Sequence, residues 1–268
     1  MAGPSQFERL TTLVRGVFNP APGGRRIALA LTFGAVVHSI FALAILSMIT
    51  VMFTGMTLSP GRVPWPLALF TNALLLVQFP LVHSVLLSRA GARRLSRMVP
   101  GPHGKTLSTT TYAIVASVQL LALFGLWTPS GIVWWRAEGG AFVAVCVLYA
   151  TSWALLGKAI WDAGADVQSG ALGWMSLMKN VAPNYPDMPT TGLFRIIRQP
   201  IYVAFALTLW TIPVWTPDQL AVAVSLTAYC LAAPMLKERR FAARYGERFE
   251  RYRQRVPYAL PFKKRSPR

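Results

Sequence analysis

The stretch RIIRQPIYVAF, Arg195 to Phe205, sets two arginines, a glutamine and a proline directly against a long apolar run. A second polar group, KERR, follows the next apolar run and contains Glu238. If the two runs fold back on each other, Arg198 at the start of one and Glu238 at the end of the other share a rim. One cation and one anion placed so can hold a zwitterion. The plainer reading makes Glu238 a solvated partner of Lys237 or Arg239, an arrangement of small energetic value. His83, beside Ser84 in FPLVHSVLLSR, is the candidate for moving a proton or lining a cavity mouth.

The elements that position these groups are membrane spans. Of the 268 residues, 54% are hydrophobic and 13% charged, where a soluble chain carries about a quarter charged. The mean hydropathy is +0.43. A helix crossing the hydrocarbon core needs about 20 apolar residues. Such runs cover Ile27–Phe53, Trp65–Leu87, Thr109–Trp127 and Ala141–Ile160. The last apolar region is broken by IPVWTPD, which reads as a turn between Pro200–Val214 and Gln219–Leu236; the first of these is short, so a tilted or partly inserted hairpin is the alternative. The expected fold is all-α: a polytopic membrane helical bundle of five to six spans in a single membrane domain. Its cytoplasmic N-terminus is 1–26, its four first helices lie in 27–160, its loop is 161–199, its helical hairpin 200–236 and its basic tail 237–268.

The net charge of +18 is unevenly spread, with 12 of the 27 basic residues after Leu236 and most others between apolar runs. That pattern fits basic loops on anionic lipid and argues against nucleic acid. Basic segments alternate along the chain in a way that supports six crossings with both termini cytoplasmic, in a bacterial inner membrane. Cys146 and Cys230 lie within apolar runs, and the three histidines are scattered, so neither a disulfide framework nor a metal site is expected.

Two amphipathic segments flank the spans. Ser5 and Glu8 have capping-box spacing, and Phe7, Leu10, Val14 and Val17 share a helical face. In the tail, Phe241, Tyr245, Phe249 and Tyr252 form a stripe opposite arginines, with Gly246 a point of weakness. The loop 161–199 is expected to lack a span and holds three of the nine acidic residues. Within the spans, Asn72, Gln78, Gln119 and His38 are expected to bond between helices.

TTGLFRIIRQPIY, KERRF and YGERFERYRQRVPYALP, taken in order, resemble the signature of the membrane methyltransferases related to isoprenylcysteine carboxyl methyltransferase. LVHSVLLSRAGARRL followed by STTTYAIVASVQLLALFGLW is similar to the bacterial methanethiol S-methyltransferase branch. The resemblance implies S-adenosylmethionine as cofactor and a small thiol or lipophilic acceptor, with no obligate protein partner. It assigns Arg198, Gln199, Pro200, Tyr202, Glu238, Arg239 and Tyr252 to the cofactor pocket, with Arg198 suited to a carboxylate, and leaves His83 as the catalytic candidate. Two departures stand out: Gln199 replaces a family histidine and Lys237 one member of an acidic pair. Glutamine cannot gain a proton near neutral pH. Alternative readings are a methyltransferase for a carboxylate, amine or hydroxyl, a sterol-reductase-like oxidoreductase, and a noncatalytic membrane protein.

Overall fold

The computed structural model describes residues 6–99 and 101–262. The helices are α1 (Gln6–Phe18), α2 (Gly24–Phe53), α3 (Leu67–Leu86), α4 (Arg89–Met98), α5 (Gly104–Leu126), α6 (Gly139–Gln168), α7 (Ala171–Met178), α8 (Pro200–Trp210), α9 (Pro217–Tyr245) and α10 (Glu247–Arg255). The short strands β1 (Trp135–Arg136) and β2 (Val214–Trp215) pair antiparallel. The chain is thus an all-α polytopic membrane protein. Helices α2, α3, α5, α6 and α9 are each long and apolar enough to cross a membrane. On α3, Leu69, Phe70, Leu74, Val77 and Leu81 all lie exposed, an outward apolar surface that lipid covers.

Within the expected span Pro200–Val214 the helix is Pro200–Trp210, short as its length implies. Helix α8 has 11 residues, about half of what a crossing requires. It stops at Trp210 because Pro213 lacks an N–H and Val214–Trp215 turns instead into the pairing with Trp135–Arg136. The described residues hold five span-length helices and one short apolar helix, within the expected five to six spans.

The chain forms two compact units. The first comprises the chain up to Val51, Met56–Pro129 and Gly164–Asp187. Here α1 is anchored by Asp166, whose carboxylate accepts from Arg9 at 2.6 Å and from Gln6 Nε2 at 3.2 Å. Phe7 and Val14 stay exposed, as an interfacial helix requires. The capping role expected of Ser5 lies outside the described residues. Helix α7 corrects the reading of 161–199 as a plain loop: α6 continues to Gln168 past a kink at Gly164, and seven of the eight residues of α7 are buried. Thr110 fixes it, donating to the Gly170 carbonyl at 2.7 Å and accepting from Trp174 N at 3.1 Å. Val37, Leu107, Ala113, Trp174 and Leu177 form the core around it. The basic segment after α3 also folds into α4, capped by Ser88.

Polar bonds expected between helices are present in this unit for Gln78, Gln119 and His38, while Asn72 bonds to the segment after α5. Asn72 Nδ2 donates to the Thr128 carbonyl at 2.8 Å and its Oδ1 accepts from Thr128 N at 3.0 Å. Gln78 and Gln119 cross-donate to each other's carbonyls at 2.9 Å. Trp174 Nε1 donates to His38 Nε2 at 3.1 Å.

The second unit comprises Met52–Gly55, Ser130–Ala163 and the described chain from Met188 onward. Its frame is the α8–α9 hairpin. Thr216 caps α9 by accepting from Gln219 N at 2.9 Å, and Pro217 occupies the first turn, where its missing N–H costs little. Asp218 lies in that first turn, favoured by the helix dipole, and accepts from Ser130 N at 3.0 Å. Helix α9 has 29 residues, a rise of roughly 43 Å. Its apolar run ends at Leu236, so Lys237–Tyr245 extends past the length that about 30 Å of hydrocarbon requires. The tail helix expected to begin at 237 is therefore the end of α9. Gly246, at φ 51° and ψ −128°, breaks the chain into α10 in a conformation other residues avoid. The aromatic stripe spans that break: Phe241 meets Tyr245 and Phe249, and Phe249 meets Tyr252.

Candidate functional site

The site lies in the second unit, where the start of α8 meets the end of α9's apolar run. Its approach is the short 3-10 turn Gly192–Arg195. Asp162 accepts from Leu193 N at 2.8 Å at the front of that turn. Tyr252 donates its hydroxyl to the Phe194 carbonyl at 2.6 Å within it. Gly192 has φ 58°, and a Cβ there would run into the Asp162 carboxylate. Only glycine suits this position.

Beyond the turn the backbone bonds to the tail. Arg198 N donates to the Pro257 carbonyl at 2.9 Å and Gln199 N to the Tyr258 carbonyl at 3.1 Å. Pro200 then opens α8 at its first position. The Val-Pro-Tyr tail is thus seated on the Arg-Gln-Pro stretch through main-chain bonds.

Arg198 and Glu238 do meet at one rim. Arg198 Nε donates to Glu238 Oε1 at 2.8 Å and its Nη2 to Oε2 at 3.3 Å. The remaining arm, Nη1, reaches the carbonyls of Arg253 at 3.0 Å and Val256 at 2.5 Å. The side chains of the pair are 6% and 15% exposed. Gln199 lies between charges of opposite sign. Its Nε2 donates to Glu238 Oε1 at 2.8 Å, and its Oε1 accepts from Lys237 Nζ at 3.2 Å. The two positions where the sequence departs from the family pattern therefore touch each other.

Lys237 stands outside the residues that the resemblance assigns. Its ammonium lies 5.2 Å from the Phe194 ring centre, 5.8 Å from that of Tyr202 and 5.5 Å from that of Phe241. Such ring faces attract a cation. Tyr258 is another addition, its ring 5.5 Å from the Arg198 guanidinium and its hydroxyl donating to the Leu231 carbonyl. Burial, with Glu238 nearby, raises the Tyr258 phenol above its ordinary value against the pull of Arg198. Tyr252 is raised chiefly by burial too, so both phenols are neutral donors at physiological pH. Arg239, assigned by resemblance, is exposed on α9.

His83 belongs to the first unit. Its Nε2 is 2.6 Å from the Tyr112 hydroxyl, and its ring lies against Phe79 and Tyr112. Tyr112 is a residue that sequence reasoning missed; its signal was a phenol among the polar residues at the start of α5. Lys237 carried a signal as well, since it stands next to Glu238.

No family model matches the chain, and no solved structure matches it. Similar sequences are known. A methanethiol S-methyltransferase of Pseudomonas deceptionensis is 29% identical over 209 residues, 78% of this chain and 78% of its own length. One from Mycobacterium tuberculosis is 27% identical over 248 residues, 87% of this chain and 96% of its own. A third, from a Pseudomonas strain, is 27% identical over 75% of this chain and 76% of its own. Across at least three quarters of its length in each comparison, the chain is similar to the methanethiol S-methyltransferases, as its motifs imply.

Proposed function

We propose that the protein is a membrane methyltransferase that moves a methyl group from S-adenosylmethionine to a small thiol or other lipophilic acceptor. The observation that carries this reading is the constellation of Arg198, Gln199 and Glu238 at the junction of α8 and α9. The similarity to methanethiol S-methyltransferases supports the reaction class and the thiol. We further place it in a bacterial inner membrane with both termini cytoplasmic, on the strength of its basic segments.

The donor set fits such a cofactor. Glu238 Oε2 takes only the longer of the two Arg198 bonds, so it retains acceptor capacity for an ammonium or a ribose hydroxyl. Gln199 holds that carboxylate in place, Pro200 and Tyr202 line the start of α8, and Tyr252 keeps the 192–195 turn against the site. Arg239 contributes a positive charge at the exposed edge. When bound, S-adenosylmethionine supplies an electrophilic methyl group on a sulfonium sulfur. Its transfer to a thiolate breaks one carbon–sulfur bond, forms another and cancels charge, which apolar surroundings favour over the charged reactants. The residues of the chain hold the reactants in line and exclude water. His83, with Tyr112 on its Nε2, is the group assigned to take the thiol proton or to line the acceptor's route.

The test is turnover. Detergent-purified protein is incubated with S-adenosylmethionine and, in turn, methanethiol, a longer alkyl thiol, a fatty carboxylate, an amine and an alcohol. Formation of S-adenosylhomocysteine and the methylated product is measured by mass spectrometry. Product with the thiols alone supports the reading. Product with only a carboxylate, amine or alcohol replaces the acceptor, and reduction of a sterol-type double bond with NADPH in place of any methylation overturns the class.

A further inference from the structure

The resemblance gives Arg198 the task of meeting a ligand carboxylate, but its geometry points elsewhere. Its fork is already closed on Glu238 through Nε and Nη2, and Nη1 holds the carbonyls of Arg253 and Val256. Its backbone N–H is committed to Pro257, and the face of its guanidinium lies over Tyr258. Four of its five N–H groups are thus engaged, and the one left, on Nη2, can offer a second carboxylate only a single bond and no bidentate grip.

Lys237 is in the opposite condition. Its ammonium is set among the rings of Phe194, Tyr202 and Phe241 and bonds to the neutral Gln199 Oε1. Rings and an amide oxygen orient a cation, but none of them carries a full compensating charge. Arg198, Lys237 and Glu238 together hold two positive charges and one negative, and Arg240 acts on Lys237 as a further positive charge. A carboxylate brought to Lys237 reduces that excess. Gln199 sorts the cluster by sign, with its oxygen toward Lys237 and its nitrogen toward Glu238. Beside that amide lie a cation for a carboxylate and an anion for an ammonium, the two groups of an α-amino acid.

We propose that Lys237 is the residue that binds the carboxylate of an amino-acid-bearing ligand, and that Arg198 is a positioning residue that fixes Glu238 and the 253–258 tail. This rests on the methyl-donor reading above and names the contact that discriminates the donor.

The test compares S-adenosylmethionine with its decarboxylated analogue, which keeps the sulfonium, the adenosine and the amine. Affinities are measured by isothermal titration on the full chain in detergent. The wild type is expected to favour the carboxylated ligand by about tenfold to a hundredfold, the usual range for a charge-assisted hydrogen bond. Lys237→Gln should erase the preference by weakening only the carboxylated ligand, and Lys237→Arg should retain most of it. Arg198→Lys should weaken both ligands together. The proposal is overturned if Lys237→Gln keeps the preference, or if Arg198→Lys alone removes it. Should the wild type bind neither ligand, the methyl-donor reading itself fails, a result distinct from either of those.

Discussion

Asn72 and Thr128 answer each other bond for bond, donor to carbonyl and amide to N–H, with no charge involved. The Arg198, Gln199, Lys237 and Glu238 cluster is also hydrogen-bonded, yet it keeps one positive charge in excess and leaves a carboxylate oxygen lightly used. Both groupings are set within apolar sequence. One closes on itself and ties α3 to the segment that follows α5. The other tolerates an imbalance that a purely structural polar cluster gains nothing from, because uncompensated charge in a partly buried setting is costly. On the function proposed above, the difference separates polar residues that hold this protein together from those that serve a ligand.

The largest expected effect comes from Arg198→Met. It breaks the bidentate pair and frees the tail carbonyls at once, leaving Glu238 without its cation. Removing one partner of a largely buried pair costs about 3–5 kcal/mol. The thermal midpoint in detergent should fall accordingly and S-adenosylhomocysteine binding should vanish; a variant that melts like the wild type would show that the pair is not the clamp described here.

Gly192→Ala should rank second. A side chain at φ 58° costs roughly 1–2 kcal/mol, and here it also displaces Asp162. Ligand affinity should fall although residue 192 offers no side chain to a ligand. Unchanged affinity would detach the 192–195 turn from the site.

Asn72→Leu sharpens the comparison from the other side. It strands the Thr128 N–H and carbonyl, at a cost of about 1–3 kcal/mol. Stability should drop while S-adenosylhomocysteine affinity, measured below the shifted midpoint, stays within about twofold. A large loss of affinity would erase the contrast between the two groupings.

The smallest effect is that of Tyr252→Phe, which removes one hydrogen bond to Phe194 O, a loss of about 0.5–1.5 kcal/mol. It also changes the pH dependence. The Tyr252 phenol is raised from 10.0, chiefly by burial. Its contribution is therefore complete below pH 10.0 and is lost as the pH rises beyond that value. The wild type should lose stability in alkali more steeply than the phenylalanine variant. Equal slopes in chemical unfolding from pH 9 to 11 would contradict this.

Much of this was legible in the sequence. Apolar length alone locates the five long helices, and Gln78, Gln119 and His38 bond between helices as expected, Asn72 bonding instead to the segment after α5. Gly246 breaks the tail where its helix propensity is poorest. The juxtaposition of Arg198 with Glu238 follows from one hairpin. That the first arm of the hairpin is short was legible from the 15 residues of Pro200–Val214, but the end of α8 at Trp210 was not, because it is decided by the pairing of Val214–Trp215 with Trp135–Arg136. Helix α7 was hidden for a similar reason: ALGWMSLM is only eight residues, and its burial depends on the hook from Thr110. At the site, the sequence indicates that Gln199 and Lys237 depart from a pattern, but their mutual bond depends on the rotation of α9 against the start of α8.

The most direct test of the central claim is the binding of S-adenosylhomocysteine to the detergent-purified protein beside a Glu238→Ala control. Micromolar binding that is lost in a well-folded Glu238→Ala sample is the result the account predicts. Absence of binding to folded wild type, or equal binding to both proteins, would contradict it.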